Sequence, residues 1–494
     1  MNRLRMVMAG MVLGMIVSAV MVRAGEPSKD PHTNILFIVS EDNGPELGCY
    51  GAPVKTPNLD KLAAEGTRFQ LAFVTQAGCS QSRASFLTGT YPHQNGQIGL
   101  ATWDYSMYRE NTPNLVNDLK NAGYRTGMIG KLHVNPESAF DLDWWEIKGS
   151  NFKRKDLGDY ADAAYNFIME SDAPFYLQVN YPDAHDPFLP QVDGRPEEIL
   201  TADMVEPLPY FGVSNTELKQ KTADYYNCLM RLDEYVGDLI MKLKESGKYE
   251  NTLIVYIGDH GADMLRGKRT CYEGGTRIPL IITWPGNGAK GLVYDGLVST
   301  IDLYPTFMEI TGNPIPDHLP GVSLAKVLKG DPEPVREYLF TEYHLHANFN
   351  PYPQRAVRNE RYKLIHNLVW EYENPGYEFT IGKKIDPAGM EEALKKAPKN
   401  VVEAYERMKK APEFELYDLE KDPYEWDNLA GKKKFRDEFD KLSGALSGWQ
   451  SETKDPLADK KLAEKLFLEI VNANGKKIEI KYHDYMDPGP LTEE

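Results

Sequence analysis

Short apolar runs alternate with amphipathic segments along the first two thirds of the chain. Strand-length, mostly apolar runs predict buried strands over residues 35–39, 125–129, 175–179, 253–257 and 278–284. Apolar residues at three- and four-residue spacing predict helices over residues 59–65, 114–122, 160–170, 217–246 and 300–311. Strands that alternate with helices are typical of a mostly parallel sheet with helices on both faces, so we predict an α/β fold.

The hydrophobic pattern changes near residue 335. Strand-like alternation begins at residue 338 and continues through residues 355–367, and a helical pattern follows over residues 435–449. Because 494 residues exceed what one core usually supports, we predict a first domain over residues 25–335 and a smaller C-terminal α+β domain with an antiparallel sheet over residues 336–494. In its tail we predict a helix over residues 460–471 and a hairpin at Asn474-Gly475 with a return strand over residues 478–482.

The N-terminal segment is typical of a signal peptide. Arg3 and Arg5 precede an apolar run over residues 6–21, and small residues allow cleavage after Ala24, so we assign residues 1–24 to the signal peptide. The alternative is a membrane anchor, but the run is shorter than the roughly 20 residues that a spanning helix needs. We expect an exported protein, periplasmic or extracellular, or lysosomal in a eukaryote, without stable membrane association.

Charge and cysteine content exclude several partner classes. The formal net charge of −17 repels polyanions, so we exclude nucleic acid, and an anionic substrate would need a local basic pocket. The four cysteines, at positions 49, 79, 228 and 271, have spacings that indicate neither a disulfide framework nor a zinc site.

Polar residues follow four of the predicted strands. Glu41 and Asp42 follow the first, Lys131 and His133 the second, His185 the third, and Asp259 and His260 the fourth. Ligands of open α/β sheets bind beyond the carboxyl ends of the strands, so we expect these residues to meet at one edge of the sheet.

Residues 79–89 are Cys-Ser-Gln-Ser-Arg-Ala-Ser-Phe-Leu-Thr-Gly, and residues 82–87 can start a helix that places the cysteine at its N-terminus. A helix N-terminus favours anions. The segment resembles the Cys-x-Pro-x-Arg and Leu-Thr-Gly signature of the sulfatase family, in the alkaline phosphatase superfamily. The resemblance implies that a formylglycine-generating or anaerobic sulfatase-maturing enzyme converts Cys79 to formylglycine. One hydroxyl of the hydrated aldehyde would attack sulfur, the other would later expel sulfate, and Arg83 would hold the modified side chain.

One residue departs from that signature. Gln81 stands where the family has Pro, or Ala in some bacterial members, and the maturation enzymes read this position. If Cys79 is not converted, the chain would be a non-catalytic binder of sulfated glycans, and this alternative stays open.

The family resemblance also implies a metal site and a sulfate cradle. One calcium ion would be bound by the residues that match the family's ligands: Glu41, Asp42, Cys79, Asp259 and His260. Calcium takes 6 to 8 mostly oxygen ligands in irregular geometry, which tolerates a Glu in place of an Asp. Lys131 and Lys268 would hold sulfate oxygens, His133 would serve the formylglycine hydroxyl, and His185 or Lys268 would protonate the leaving group.

Segments outside the signature are most similar to the N-sulfoglucosamine sulfohydrolases, the sulfamidases of heparan degradation. These segments are residues 92–100, 355–358 and 364–368, and they imply a sulfated saccharide substrate of the N-sulfoglucosamine type. We expect the second domain to fold back over the site, and we therefore propose His344, His346 and Arg355 as sugar or sulfate contacts. On a strand, His344 and His346 would point to the same side.

Two other enzyme classes remain as alternatives. An O-sulfatase acting on another sulfated polysaccharide, such as one from algae, would share these local motifs. A metal-dependent phosphatase or phosphonate monoester hydrolase would use similar chemistry, but it needs a second cluster of His and Asp ligands that the sequence does not show.

Overall fold

The computed structural model describes residues 32–492, and a large mixed sheet forms the centre of this part of the chain. Its strands are β1 Asn34–Ser40, β2 Thr67–Phe73, β3 Arg125–Ile129, β4 Trp144–Glu146, β5 Phe175–Tyr181, β6 Thr252–Gly258, β7 Arg277–Thr283 and β8 Leu292–Ser299. They lie in the order β4-β3-β5-β1-β6-β7-β2-β8. Strand β7 is antiparallel to both of its neighbours, and all other neighbouring strands are parallel. The predicted mostly parallel sheet is confirmed.

Helices cover both faces of this sheet and thereby bury its strands on both sides. Successive residues of β1 belong alternately to two hydrophobic cores: Leu36 and Ile38 pack in one, and Ile35, Phe37 and Val39 in the other. The helices that precede the second sheet are α1 Pro57–Glu65, α2 Cys79–Thr88, α3 Pro92–Asn95, α4 Leu115–Asn121, α5 Asp159–Met169, α6 Thr216–Glu245, α7 Glu273–Thr276, α8 Leu303–Ile310 and α9 Ala325–Leu328. The five helices that the spacing predicts are all present.

A second, antiparallel sheet follows residue 335. Its strands are β9 Leu339–Tyr343, β10 Gln354–Arg358, β11 Tyr362–Asn367 and β12 Phe414–Asp418, in the order β12-β11-β10-β9. Between β11 and β12 lie α10 Pro375–Phe379, a π-helical turn Thr380–Lys384, α11 Pro387–Leu394 and α12 Lys399–Lys409. Helix α13, Arg436–Glu452, covers the sheet with Leu442, Leu446 and Trp449. The predicted C-terminal α+β part with an antiparallel sheet is confirmed.

The tail differs from the prediction after its helix. Helix α14, Lys460–Asn472, is present, and a last short helix, α15, covers His483–Met486. Asn474 and Gly475 both have positive φ, as a tight turn requires, but no strand follows them. The predicted hairpin is wrong because the segment before the turn is helical and offers no strand edge for pairing.

The predicted signal peptide, residues 1–24, lies outside the described residues. Within residues 32–492 we find no helix with the length and apolar character that crossing a membrane requires.

Candidate active site

Cys79 is the first residue of helix α2, directly after Gly78 in extended conformation. The first turn of a helix has unbonded N–H groups and the positive end of the helix dipole, so the cysteine side chain starts where an anion is favoured. The thiol is 1% exposed, and every residue of α2 is buried. The predicted helix start at the cysteine motif is confirmed.

The ends of β1 and β6 bring two acidic residues together. Asp42 follows β1 with a left-handed φ of 52°, and its N–H donates to Oδ1 of Asp259 at 2.9 Å. The strands approach so closely that a Cβ on Gly258 would lie 1.8 Å from the carbonyl oxygen of Asn43. Only glycine fits there, and its absence of a side chain lets Asp42 and Asp259 meet.

These acids belong to two groups of side chains that could hold a metal ion. The groups are Asp42 with Cys79 and His185, and Cys79 with Asp259 and His260, with ligand atoms within 4.8 Å of one another. Nδ1 of His260 lies 2.8 Å from the carbonyl oxygen of Gly261 and must donate to it, because a carbonyl only accepts. The Nε2 edge of the ring therefore faces Asp42, 3.2 Å away, and the sulfur of Cys79, 3.3 Å away.

Glu41 lies outside these two groups. Its Oε2 accepts from the ammonium of Lys131 at 2.7 Å, and its buried Oε1 has no hydrogen-bond partner among the described residues. A buried carboxylate oxygen without a partner fits a cation ligand. Together, the carboxylates of Glu41, Asp42 and Asp259 form the mainly oxygen set that a hard divalent cation such as calcium takes.

Three buried cations supply the local positive charge that the acidic chain otherwise lacks: Lys131, Lys268 and Arg83. The ammonium of Lys268 lies 3.0 Å from both oxygens of Asp42 and 3.3 Å from the sulfur of Cys79. The guanidinium of Arg83 is paired with Asp259 at 3.0 Å and donates to Asn180 and to the carbonyl oxygen of Lys131. Arg83 thus directs its hydrogen bonds to the acid and to the strand ends around Cys79.

Besides His260, three further histidines lie beside the thiol and differ in their hydrogen bonds. Nδ1 of His185 donates to the carbonyl oxygen of Asp186 at 2.6 Å. His133 has a left-handed φ of 62°, and within the described part of the chain its buried ring nitrogens have no hydrogen-bond partner other than the thiol of Cys79. The same holds for both ring nitrogens of His346, which is 8% exposed. Two imidazoles are therefore available to a ligand beside residue 79.

The surroundings change the pKa values of these groups. Burial alone would raise the pKa of the Cys79 thiol, but Lys268, Lys131 and His260 outweigh burial and hold it well below its usual range. Burial alone would lower the pKa of His260, but the carboxylates of Asp259 and Asp42 outweigh burial and raise it to about 9. For His133, burial and the charge of Lys131 lower the pKa to about 4.

Two predicted substrate contacts do not reach the cluster. Strand β9 ends at Tyr343, so His344 and His346 lie in a loop and face different neighbours. Nε and Nη2 of Arg355 donate to Asp455 at 2.8 and 2.7 Å, and Nη2 lies 3.1 Å from Nε2 of His344. Both side chains are fully buried in this ion-pair network. Because the polar atoms of both side chains are engaged with each other and with Asp455, the structure does not favour His344 and Arg355 as substrate contacts, and both roles stay predictions.

Asn180 is a site residue that the sequence analysis missed. It stands near the end of β5, where its Oδ1 accepts from Arg83 at 2.8 Å and its Nδ2 donates to the carbonyl oxygen of Ile129. The position of Asn180, a polar residue directly after the predicted strand 175–179, was the sequence signal that could have predicted it.

The fold and this cluster agree with comparisons to known proteins. The sulfatase family model matches residues 33–313, more than half of the chain, and a model described as "N-sulphoglucosamine sulphohydrolase, C-terminal" matches residues 258–410. The chain belongs to the sulfatase family. It is therefore an enzyme of the sulfuric ester hydrolase class, and the family predicted from the cysteine motif is confirmed.

Relatives within the family carry several different names. Human N-sulphoglucosamine sulphohydrolase is 30% identical, with 86% of this chain and 91% of the relative covered. An ulvan-active sulfatase of Formosa agariphila is 29% identical, with 86% and 81% covered. A solved structure in complex with its substrate D-glucosamine-2-N,6-O-disulfate is 21% identical and superimposes with a TM-score of 0.63, covering 86% of this chain and 98% of that one.

Proposed function

We propose that this sulfatase removes sulfate from a sulfated saccharide by means of a formylglycine formed from Cys79 and one bound calcium ion. The observation that supports it most is the position of Cys79, at a helix N-terminus and within 3.3 Å of both Lys268 and His260. A thiol between a cation and the acidic pair of Asp42 and Asp259 is where an anionic group can react beside a metal ion.

N-sulfoglucosamine of the heparan type is our proposed substrate. The match of residues 258–410 to the sulphohydrolase C-terminal model and the 30% identity to the human enzyme support this choice. An O-sulfatase on another polysaccharide is the second candidate, because the ulvan-active relative is almost as similar at 29% identity.

The proposed catalytic roles follow from which polar atoms face residue 79. Formylglycine, once hydrated, supplies the hydroxyl that attacks sulfur, and calcium supplies Lewis-acid polarisation of a sulfate oxygen. Lys268 and Lys131 exchange their present partners, Asp42 and Glu41, for sulfate oxygens as the anion enters. Two cations in a buried site bind a sulfate more strongly than exposed lysines would.

Proton transfer falls to the histidines and Lys268. His133, whose ring has no hydrogen-bond partner among the described residues other than the thiol of Cys79, accepts the proton of the attacking hydroxyl. The hydrogen bond from Nδ1 of His185 to the carbonyl oxygen of Asp186 fixes the orientation of the ring. Either Nε2 of His185 or the ammonium of Lys268 then gives a proton to the departing nitrogen or oxygen of the sugar. General acid help of this kind contributes about 10²- to 10⁴-fold. His346, whose ring has no hydrogen-bond partner among the described residues other than the thiol of Cys79, contacts the sugar or its sulfate.

Maturation and export complete the proposal. The chain is exported through a signal peptide at residues 1–24, its catalytic domain covers residues 25–335, and its C-terminal domain residues 336–494. A formylglycine-generating or anaerobic sulfatase-maturing enzyme acts on Cys79 before the protein becomes active.

Sulfate release from matched monosaccharides tests the function. The enzyme is produced together with a maturation enzyme and assayed on N-sulfated and on 6-O-sulfated glucosamine, with Cys79→Ala as the inactive control. We expect release from the N-sulfated sugar that Cys79→Ala abolishes. Release from the O-sulfated sugar alone would replace the proposed substrate by the second candidate, and equal release by Cys79→Ala would contradict the proposed nucleophile.

A further inference from the structure

Gln81, the residue that departs from the sulfatase signature, uses its side chain to bind two distant segments. It is the third residue of α2 and is fully buried. Its Nε2 donates to the carbonyl oxygen of Leu345 at 2.8 Å and to that of Ile98 at 3.2 Å. Proline at this position would have no donor for either carbonyl.

A second glutamine binds the same two carbonyls. Nε2 of Gln76, which precedes α2, donates to Leu345 at 3.0 Å and to Ile98 at 3.4 Å. Its Oε1 lies 3.0 Å from Nδ1 of His344. Each carbonyl oxygen accepts from both amides, which uses both of its lone pairs. We refer to the side chains of Gln76 and Gln81 with these two carbonyls as the glutamine clamp.

The clamped carbonyls belong to the segments that cover the thiol. Leu100 and Ala347 pack directly against Cys79, and the N–H of Leu100 donates to the carbonyl oxygen of His346 at 2.9 Å. Ser80, beside Cys79 in α2, accepts from the N–H of Ala101 at 2.9 Å. Residues 98–101 and 344–347 are therefore tied to each other and to the start of α2.

His346 depends on this arrangement for its place beside residue 79. It follows Leu345 directly in the chain, and within residues 32–492 its ring nitrogens have no hydrogen-bond partner other than the thiol of Cys79. The ring is thus held through its backbone, by the bond from Leu100, by the bond from its own N–H to Asn350 at 3.0 Å, and by the clamp one residue earlier. Loss of the clamp would let the ring shift while the helix under Cys79 stays in place.

We propose that Gln81 is a positioning residue that, through the glutamine clamp, holds His346 and the two covering segments over residue 79 for binding of the substrate sugar. This inference rests on the proposed role of residue 79 as the reacting centre. The difference between Gln and Pro at this position lies in the side chain. The first N–H of α2 that bonds along the helix is that of Ser82, to Gly78 at 2.9 Å, so a proline at residue 81 removes no helical hydrogen bond.

Two substitutions separate the side-chain bonds from other effects of residue 81. Gln81→Met keeps a similar length without a donor, and Gln81→Pro restores the signature of the family. Gln220→Met is the matched control, because Gln220 is exposed and its amide donates to Asp224. For each purified enzyme we measure hydrogen exchange of residues 98–101 and 344–347, formylglycine content by mass spectrometry, and kcat and KM per formylglycine.

In both Gln81 variants we expect faster exchange in the two segments and a KM about three- to tenfold higher, since one or two hydrogen bonds are lost, while Gln220→Met behaves as the wild type. Unchanged exchange and unchanged KM in both Gln81 variants would overturn the proposal. A wild-type protein that keeps its thiol would contradict the proposed function instead. The exchange measurement still tests the clamp in that case, because it needs no turnover.

Discussion

Lys268 joins the candidate nucleophile to the candidate metal ligands: its ammonium lies 3.0 Å from both carboxylate oxygens of Asp42 and 3.3 Å from the sulfur of Cys79. The two partners come from different elements, the end of β1 and the start of α2. Lys268 therefore offsets the charge of Asp42 before a substrate arrives, and its ammonium lies beside residue 79, where it can bind a sulfate oxygen.

Replacing Lys268 by Met should reduce kcat/KM by about 10²- to 10⁴-fold, because a sulfate contact and a proton donor are lost together. The measurement is steady-state sulfate release per formylglycine. Lys290→Met, at an exposed position, serves as the control and should keep wild-type rates. A loss of less than threefold in Lys268→Met would remove this residue from the mechanism.

Replacing Arg355 by Met should lower the free energy of unfolding by about 3–5 kcal/mol, because Asp455 would remain buried without its partner. The pair is fully buried, whereas the similar pair of Arg361 and Asp418 is 40% exposed on the arginine side. Arg361→Met should accordingly cost much less stability than Arg355→Met, because exposed ion pairs contribute little. Chemical denaturation measures both values. A normal stability of Arg355→Met combined with a raised KM would instead support Arg355 as a substrate contact.

Glu342 should make stability dependent on acidic pH. Burial alone would raise the pKa of its carboxyl, but His93, Arg355 and His344 outweigh burial and lower it from 4.5 to about 2. A carboxyl with a depressed folded-state pKa stabilises the protein above its unfolded pKa, and this contribution is lost as pH falls through the folded pKa. At pH 7 we expect the free energy of unfolding of the wild type to exceed that of Glu342→Gln by about 3 kcal/mol. That difference should shrink between pH 4.5 and about 2, and a difference independent of pH would refute the pairing.

Calcium removal should abolish activity and lower the melting temperature, and added calcium should restore both more effectively than magnesium, which demands stricter octahedral geometry. Calorimetric titration of the metal-free protein gives a readout independent of turnover. Asp42→Asn should weaken calcium binding, and the fully exposed Asp172→Asn should not. Undiminished calcium affinity in Asp42→Asn would exclude Asp42 as a ligand.

Much of the fold could be predicted because its central strands are apolar runs. Strands β1, β3, β5, β6 and β7 lie within two residues of their predicted bounds. Strand β2, Thr-Arg-Phe-Gln-Leu-Ala-Phe, has mixed polarity and gave no such signal. The antiparallel direction of β7 was not predictable either, since periodicity in the sequence contains no information on strand direction.

The residues of the site also divide into those that the sequence pattern predicts and those that it does not. Glu41, Asp42, Asp259 and His260 directly follow strands, so topology alone placed them at one edge of the sheet. Arg355 is held in an ion pair with Asp455, 100 residues later in the chain, and no local sequence pattern reveals that pair. The glutamine clamp likewise joins residues 264 positions apart through backbone carbonyls, which every residue has.

The mass of the peptide that contains residue 79 tests the central claim most directly. The protein is produced in cells with a maturation enzyme, digested, and analysed by mass spectrometry, with Cys79→Ala as the reference. We predict that residue 79 is present as the aldehyde, and that sulfate release rises in proportion to the aldehyde fraction. An intact thiol in a preparation that still releases sulfate at full rate would contradict the account.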